Sequence, residues 1–171
     1  MHDFPIRKSN RLKNYNYSSP GAYFITVCTY NKKKILSEVC SAGINELPEI
    51  KLTLAGKVVD DVIKKIADRF GVRIDRYIIM PNHLHMIISI TDSELFRSIH
   101  ESTLQSRSVL SKVIGYIKMN SSKQIRLKSG DIKVWQRSYH DHIIRNEKDY
   151  QNIYNYVEYN ALKWKEDCFY C

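Results

Sequence analysis

The chain's 171 residues are 43% hydrophobic and 26% charged, enough for one buried core and too apolar for a disordered basic tail. Its 27 Lys and Arg outnumber 18 Asp and Glu, a formal charge of +9 that makes polyanions the first partners to consider. No run approaches the roughly 18 uninterrupted apolar residues of a membrane span, and Met1–Lys8 has no apolar stretch like a signal peptide, so a cytoplasmic protein without a membrane partner is expected.

Residues 1–21 read as a basic arm, in which Arg7, Lys8, Arg11 and Lys13 are interleaved with Tyr15 and Tyr17 before the turn signal Ser18-Ser19-Pro20-Gly21. A single domain, 22–171, follows. Ala22–Tyr30 is rich in β-branched and aromatic residues and predicts a strand, with a basic loop at Lys32-Lys33-Lys34 behind it. Residues 35–53 look irregular. From Leu54 to Phe70, apolar Leu54, Val58, Val59, Val62, Ile63, Ile66 and Phe70 recur at three- and four-residue spacing, opposite Lys57, Asp61, Lys64 and Lys65, which predicts an amphipathic helix.

Arg73–Met80 and His83–Ile90 are strand-like runs separated only by Pro81-Asn82, the spacing of an antiparallel hairpin. Leu104 to about Leu127 predicts a second helix with a basic exposed surface, ended near Gly130. Val134–Arg145 reads as a fourth strand and Glu147 to about Trp164 as a third helix. This order is the split βαβ pattern with one helix appended: an α+β, ferredoxin-like fold whose four-stranded antiparallel sheet carries helices on one face, plus a C-terminal helix. The same architecture serves RNA-recognition modules, metabolite sensors and nucleases, so the site residues must decide the function.

The charge is unevenly spread: residues 1–34 carry 7 basic and 1 acidic side chains, 35–103 carry 8 and 10, and 104–171 carry 12 and 7. Basic ends around a neutral middle suit a phosphate footprint better than a scattered solvated surface does. Cys28, Cys40, Cys168 and Cys171 are too few for a disulfide scaffold, and Cys168-Phe169-Tyr170-Cys171, lacking a second pair, reads as a frayed tail rather than a zinc site.

His83-Leu84-His85 is the strongest local signal for chemistry, because alternation along a strand sends both imidazoles to one face and Leu84 to the other. Two side-by-side metal ligands or two ordinary strand histidines are both compatible with that spacing. His140-Asp141-His142 is a rival pair, read here as supporting or nucleic-acid-contacting; an inward-facing Asp141 would need a partner. On the third helix, Tyr150, Ile153, Val157, Ala161 and Trp164 form an apolar stripe bordered by Asp149, Asn152, Tyr156, Asn160 and Lys163. Tyr156 and Asn160 sit one turn apart, so an amide oxygen and a phenol can address one site; Tyr154 with Glu158 has the same spacing. A phenolate beside a histidine-bound cation suits attack on a phosphodiester.

Met80-Pro81-Asn82-His83-Leu84-His85, then Trp135 to Asn146 (WQRSYHDHIIRN), then Tyr156-Val157-Glu158-Tyr159-Asn160 resemble the single-tyrosine HUH transposases, specifically the REP-associated tyrosine transposase branch. Arg11 to Tyr17 (RLKNYNY) and Pro20 to Thr29 (PGAYFITVCT) are also similar to that branch, so the likeness runs from about residue 7 to 164. It implies a metal-dependent endonuclease and strand transferase acting on single-stranded DNA at hairpin-forming repeats through a covalent 5′-phosphotyrosine. Residue by residue, it implies His83 and His85 as the HUH metal ligands, Asn160 as the third ligand, Tyr156 rather than Tyr154 as nucleophile, and Mg²⁺ or Mn²⁺ as cofactor.

Arg7, Lys8, Arg11, Lys13, Lys32, Lys33 and Lys34 are the expected hairpin contacts, since phosphate binding needs cations within reach, and Arg137 and Arg145 complete the expected DNA-binding residues. A nucleoid-associated protein follows, as monomer or homodimer, because relatives of both kinds exist. Ala161 stands where family members often carry Pro, which lets the helix continue through Leu162 and Trp164. Insertion-sequence relatives use Gln as third ligand; Asn160 fits the REP-associated branch. A histidine-rich donor set would also accept Zn²⁺. The alternative from another class is a ferredoxin-like nucleic-acid-binding protein without cleavage activity. A replication initiator or relaxase is disfavoured by the short chain, which lacks a phosphate-binding loop.

Overall fold

The computed structural model describes residues 15–40, 48–92 and 108–166, with only the backbone for Lys165 and Glu166. In chain order the elements are β1 (Gly21–Cys28), β2 (Ser37–Cys40), β3 (Glu49–Leu52), α1 (Leu54–Ile63), α2 (Ile66–Phe70), β4 (Arg73–Ile79), β5 (His83–Ile90), α3 (Val109–Ser129), β6 (His140–Ile144) and α4 (Glu147–Glu158). A 3₁₀ segment, Asn160–Glu166, ends the described chain. The fold is α+β, with a four-stranded antiparallel sheet in the order β4-β5-β1-β6, as the split βαβ pattern requires.

Strand alternation divides the sheet into two functionally distinct faces. Tyr23, Ile25 and Val27 of β1 and Leu84, Met86, Ile88 and Ile90 of β5 join one buried core with Val58, Val59 and Ile63 of α1 and Leu110, Val113, Ile114 and Ile117 of α3. Each such aliphatic side chain contributes about 1.5–3 kcal/mol by leaving water. The opposite face carries Phe24 and Thr26 of β1 and His83 and His85 of β5, and α4 lies against it. Tyr17, at the end of the expected arm, is also buried in the core.

Several boundaries differ from the sequence expectations; β1 already ends at Cys28, and Tyr30–Lys32 forms a 3₁₀ turn. Residues 35–53 contain a short hairpin, with Ser37 opposite Leu52 and Cys40 opposite Glu49. Glu49-Ile50-Lys51-Leu52 does alternate polar and apolar side chains, but four residues are too few to mark a strand, and Ser37–Cys40 shows no such alternation; Glu38 faces Lys51 across the ladder. The helix from Leu54 breaks at Lys64-Lys65, where the Lys64 N–H is shared between the carbonyls of Asp60 and Val62, and the apolar spacing runs through the break unchanged. α2 then ends on Gly71, in the left-handed region at φ 61°.

Val134–Arg145 pairs as a strand only from His140 onwards, apart from a single bridge between Thr29 and Trp135. Lys118 Nζ takes the carbonyls of Gln136, Arg137 and Ser138 at 2.9, 3.3 and 2.8 Å, so a side chain consumes the acceptors that a strand ladder would have used. Trp135 turns inward, its indole N–H donating to Ser121 Oγ at 2.9 Å. Finally, α4 stops at Glu158 and the chain continues as 3₁₀ rather than as α-helix through Trp164. α3 begins at Val109 behind the N-cap Ser108; residues 104–107 of the expected helix lie outside the described residues. No helix among the described residues is long and apolar enough to cross a membrane.

Candidate active site

β5 is buried along its whole length, which puts His83 at 0% and His85 at 1% exposure. Their rings lie 4.3 Å apart, and each has its Nδ1 engaged by a neighbour. His83 Nδ1 is 2.9 Å from Asn82 Oδ1; an amide oxygen only accepts, so Nδ1 carries a proton and donates it to Asn82. His85 Nδ1 is 2.8 Å from Thr26 Oγ1, its register partner on β1. Burial, with the neighbouring His83 next, holds the His85 pKa well below the ordinary imidazole value, so the ring is neutral at physiological pH.

α4 starts behind Asn146, whose side chain caps the Asp149 N–H, and its last full turn brings Tyr156 over this face. Tyr156 Oη lies 3.3 Å from His85 Nε2, with Phe24 edge-on to the Tyr156 ring at 5.9 Å. Tyr156 is 39% exposed, so it is reachable from solvent while His83 and His85 are buried. Asn160 is 1% exposed with its Oδ1 shut off from water, and Trp164, one further turn on, lies 6.0 Å from the His83 ring. Asn160 is thus bracketed by a residue on His85 and a residue on His83. It sits deeper than the stripe border where the helical periodicity puts it.

Among the described residues no three His, Cys, Asp or Glu side chains cluster as a metal site. The donor set here is two imidazoles and one amide, with both Nδ1 atoms engaged by neighbours and the two rings 4.3 Å apart. Oriented imidazoles with a carbonyl oxygen fit a divalent cation that keeps open positions for oxygen ligands.

The rival pairs are used differently. His140 and His142 point to the same face as His85, but from β6, on the far side of β1; His142 contacts Asp149 at 2.9 Å and both histidines are exposed. Asp141 faces the helix layer opposite Ile25. Glu158 pairs with Arg76 and Tyr154 stacks on Tyr150, so both belong to the β4 side of α4.

The model of the family described as "Transposase IS200 like" matches residues 21–160, most of the chain and all of this site. The chain belongs to the IS200-like transposase family. An uncharacterized protein of Haemophilus influenzae is 38% identical over 174 residues, covering 96% of this chain and 93% of its own. A second protein of that organism, named for the REP-associated tyrosine transposases, is 22% identical over 89% of this chain and 77% of its own. Among solved structures, a REP-associated tyrosine transposase bound to a REP hairpin shares the fold with a TM-score of 0.59 at 21% identity, over 90% of this chain and 73% of that one. The resemblance read from the sequence therefore holds for family and fold.

Around the site of this transposase, the basic loop closes the end of β1 that carries His83's partner. Thr29 donates through both its N–H and its hydroxyl to Asn82 O, and Leu36 N donates to Pro81 O, so Lys32, Lys33 and Lys34 stand beside the His83 end of the sheet. Lys34 Nζ lies 6.0 Å from the Trp164 ring. Arg137 follows Gln136, whose N–H donates to Cys28 O, and is exposed at the same end. Arg145 is not brought there: it follows Ile144, which pairs with Ala22 at the opposite end of β1, about 20 Å away along the strand. Arg7, Lys8, Arg11, Lys13 and Cys168–Cys171 lie outside the described residues. The sequence reading omits Thr26, Asn82, Phe24 and Trp164, which orient or flank the histidines; of these only Asn82 has a local signal, its place immediately before His83.

Proposed function

We propose that this transposase cuts and rejoins single-stranded DNA beside hairpin-forming repeats, with Tyr156 as the nucleophile. The observation that carries the reading is an exposed phenol 3.3 Å from the Nε2 of a buried, neutral histidine. Tyr156 Oη attacks the phosphorus as its proton leaves to solvent, the bond from phosphorus to the 3′-oxygen breaks, and that oxygen is protonated. The products are a 5′-phosphotyrosine and a free 3′-hydroxyl, and retention of the phosphoester energy allows the strand to be rejoined.

His83, His85 and Asn160 would hold Mg²⁺ or Mn²⁺. The bound ion would polarise the non-bridging oxygens and offset the charge that develops at phosphorus. Thr26 and Asn82 hold the two rings in register, and Lys32, Lys33, Lys34 and Arg137 draw phosphates to the His83 end. The hairpin in the related solved complex supports a hairpin beside the cleaved strand as partner. Tyr156 meets His85 of its own chain, which supports a site completed without a second copy.

The test is incubation of wild type and Tyr156→Phe with labelled single-stranded DNA from hairpins flanking the gene, with Mn²⁺ or EDTA, followed by denaturing electrophoresis. A covalent protein–DNA adduct is expected only with wild type and only with metal, while Tyr156→Phe keeps its affinity. Tight binding by wild type with no adduct on any of these substrates would instead favour a binding protein without cleavage.

A further inference from the structure

α4 has little apolar surface with which to hold its place: of its 12 residues only Val157 is buried. Its attachment runs largely through polar contacts to β4, and those depend on an irregularity in that strand. Adjacent residues of a regular strand point to opposite faces. Here Ile74 stands opposite Ile88 and Arg76 opposite Ile87, so Asp75 is an extra residue, a β-bulge. Ile74 and Tyr77 consequently pack towards the α1–α3 core, while Asp75 and Arg76, although consecutive, both reach the α4 face.

The two side chains grip opposite ends of the helix. Asp75, with 5% of its side chain exposed, accepts from Arg73 Nε, from Ser89 Oγ at 2.5 Å and from the Tyr150 hydroxyl at 3.0 Å. Arg76 pairs with Glu158 and lies 5.8 Å from the Tyr154 ring. Burial, with the Asp75 hydrogen bond next, pushes the Tyr150 pKa up to about 12, so this phenol remains a donor throughout the working range.

We propose that the bulge at Asp75 is a positioning device for the nucleophile: Asp75 through Tyr150, and Arg76 through Glu158, fix α4 on the sheet and so set Tyr156 against His85. The inference rests on Tyr156 being the nucleophile. Tyr156 lies about 9 Å along the axis from Tyr150 and about 3 Å from Glu158, so holding both ends restricts sliding and rotation of the turn between them. A misplacement of about 1 Å at a reacting atom can cost about 100-fold in rate.

Tyr150→Phe removes one hydroxyl and leaves Arg73 and Ser89 on Asp75; Glu158→Gln removes one charge at an exposed pair. Three quantities are compared with wild type: amide exchange across 147–158 in the free protein, Kd for hairpin-flanked single-stranded DNA, and the rate of adduct formation at saturating DNA with Mn²⁺. Each variant should exchange about tenfold faster across α4 and form adduct roughly 5–30-fold more slowly, with Kd within about twofold. Combining Arg76→Glu with Glu158→Arg should recover most of the rate lost by Glu158→Arg alone. Unchanged exchange in both variants, or adduct rates within about twofold of wild type in both, would overturn the proposal. Accelerated exchange with no adduct from wild type would overturn the assignment of Tyr156 and, with it, the purpose of the anchor, while leaving the anchor itself measured.

Discussion

At the scale of single residues, the arrangement depends on how each imidazole is oriented. His85 is squeezed between Thr26 on its Nδ1 side and Tyr156 on its Nε2 side, at 2.8 and 3.3 Å. Thr26→Val keeps the branched shape that a central strand accepts and removes only the hydroxyl. Loss of such an orienting partner typically costs about 10–100-fold in metal affinity or activity. Thr26→Val should therefore lower adduct formation at limiting Mn²⁺ by about tenfold, with partial recovery when Mn²⁺ is raised. A metal titration of the adduct rate checks this, and an unchanged titration midpoint would show that Thr26 has no part in orienting the ligand.

Elements are held by contacts that helix and strand propensities do not report. Gly56 sits in the first turn of α1, where alanine would ordinarily favour a helix by about 1 kcal/mol. A Cβ there would lie 2.0 Å from the Leu36 carbonyl oxygen, an acceptor already used by the Thr53 N–H and hydroxyl. Gly56→Ala should thus destabilise the fold by about 2–4 kcal/mol rather than stabilise it, as measured by urea unfolding.

Lys118 makes the opposite case, a side chain that sets the path of a loop. Burial lowers its pKa to about 8, with Cys28 pulling weakly the other way. The unfolded chain keeps this proton up to about 10.5 and the folded chain only to about 8, so between those values the unfolded state binds more protons. Stability from this group therefore rises with pH across that window. From pH 7 to 10 the wild type should gain about 1–2 kcal/mol relative to Lys118→Met, after allowance for solvent screening of this partly exposed group, measured as the difference in their unfolding free energies at each pH.

For the whole molecule, the fold and the cation requirement are separable. His83 and His85 sit on β5, which is paired with β1 on one side and β4 on the other, and Thr26 and Asn82 orient the rings from within the protein. A chelator should abolish the adduct while shifting Tm by no more than about 2 °C, read by calorimetry in EDTA and in Mn²⁺. The net charge of +9 and the cations gathered at the His83 end add an ionic-strength dependence. If about five phosphates of a single strand are neutralised, log K should fall with log salt at a slope of about −3.5. A slope near zero would mean that these cations do not contact the backbone.

The sequence by itself determined that His83 and His85 share one face of a strand, because alternation sends Leu84 to the other. The order of elements likewise determined the sheet, since a split βαβ chain has one compact way to pair its strands. Tertiary structure decided what local pattern does not encode. The His140 and His142 pair shares the same face, and only the position of β6 across β1 removes it from the site. Tyr156 and Tyr154 are equally plausible by spacing; docking of α4 sends Tyr156 to His85 and Tyr154 to Arg76. The Lys118 cage and the bulge at Asp75 leave no periodic trace either, because one is a contact between residues distant in sequence and the other a slip of register, while the apolar spacing runs unchanged through the break at Lys64-Lys65. Such features cost or contribute free energy only once the partner element is in place.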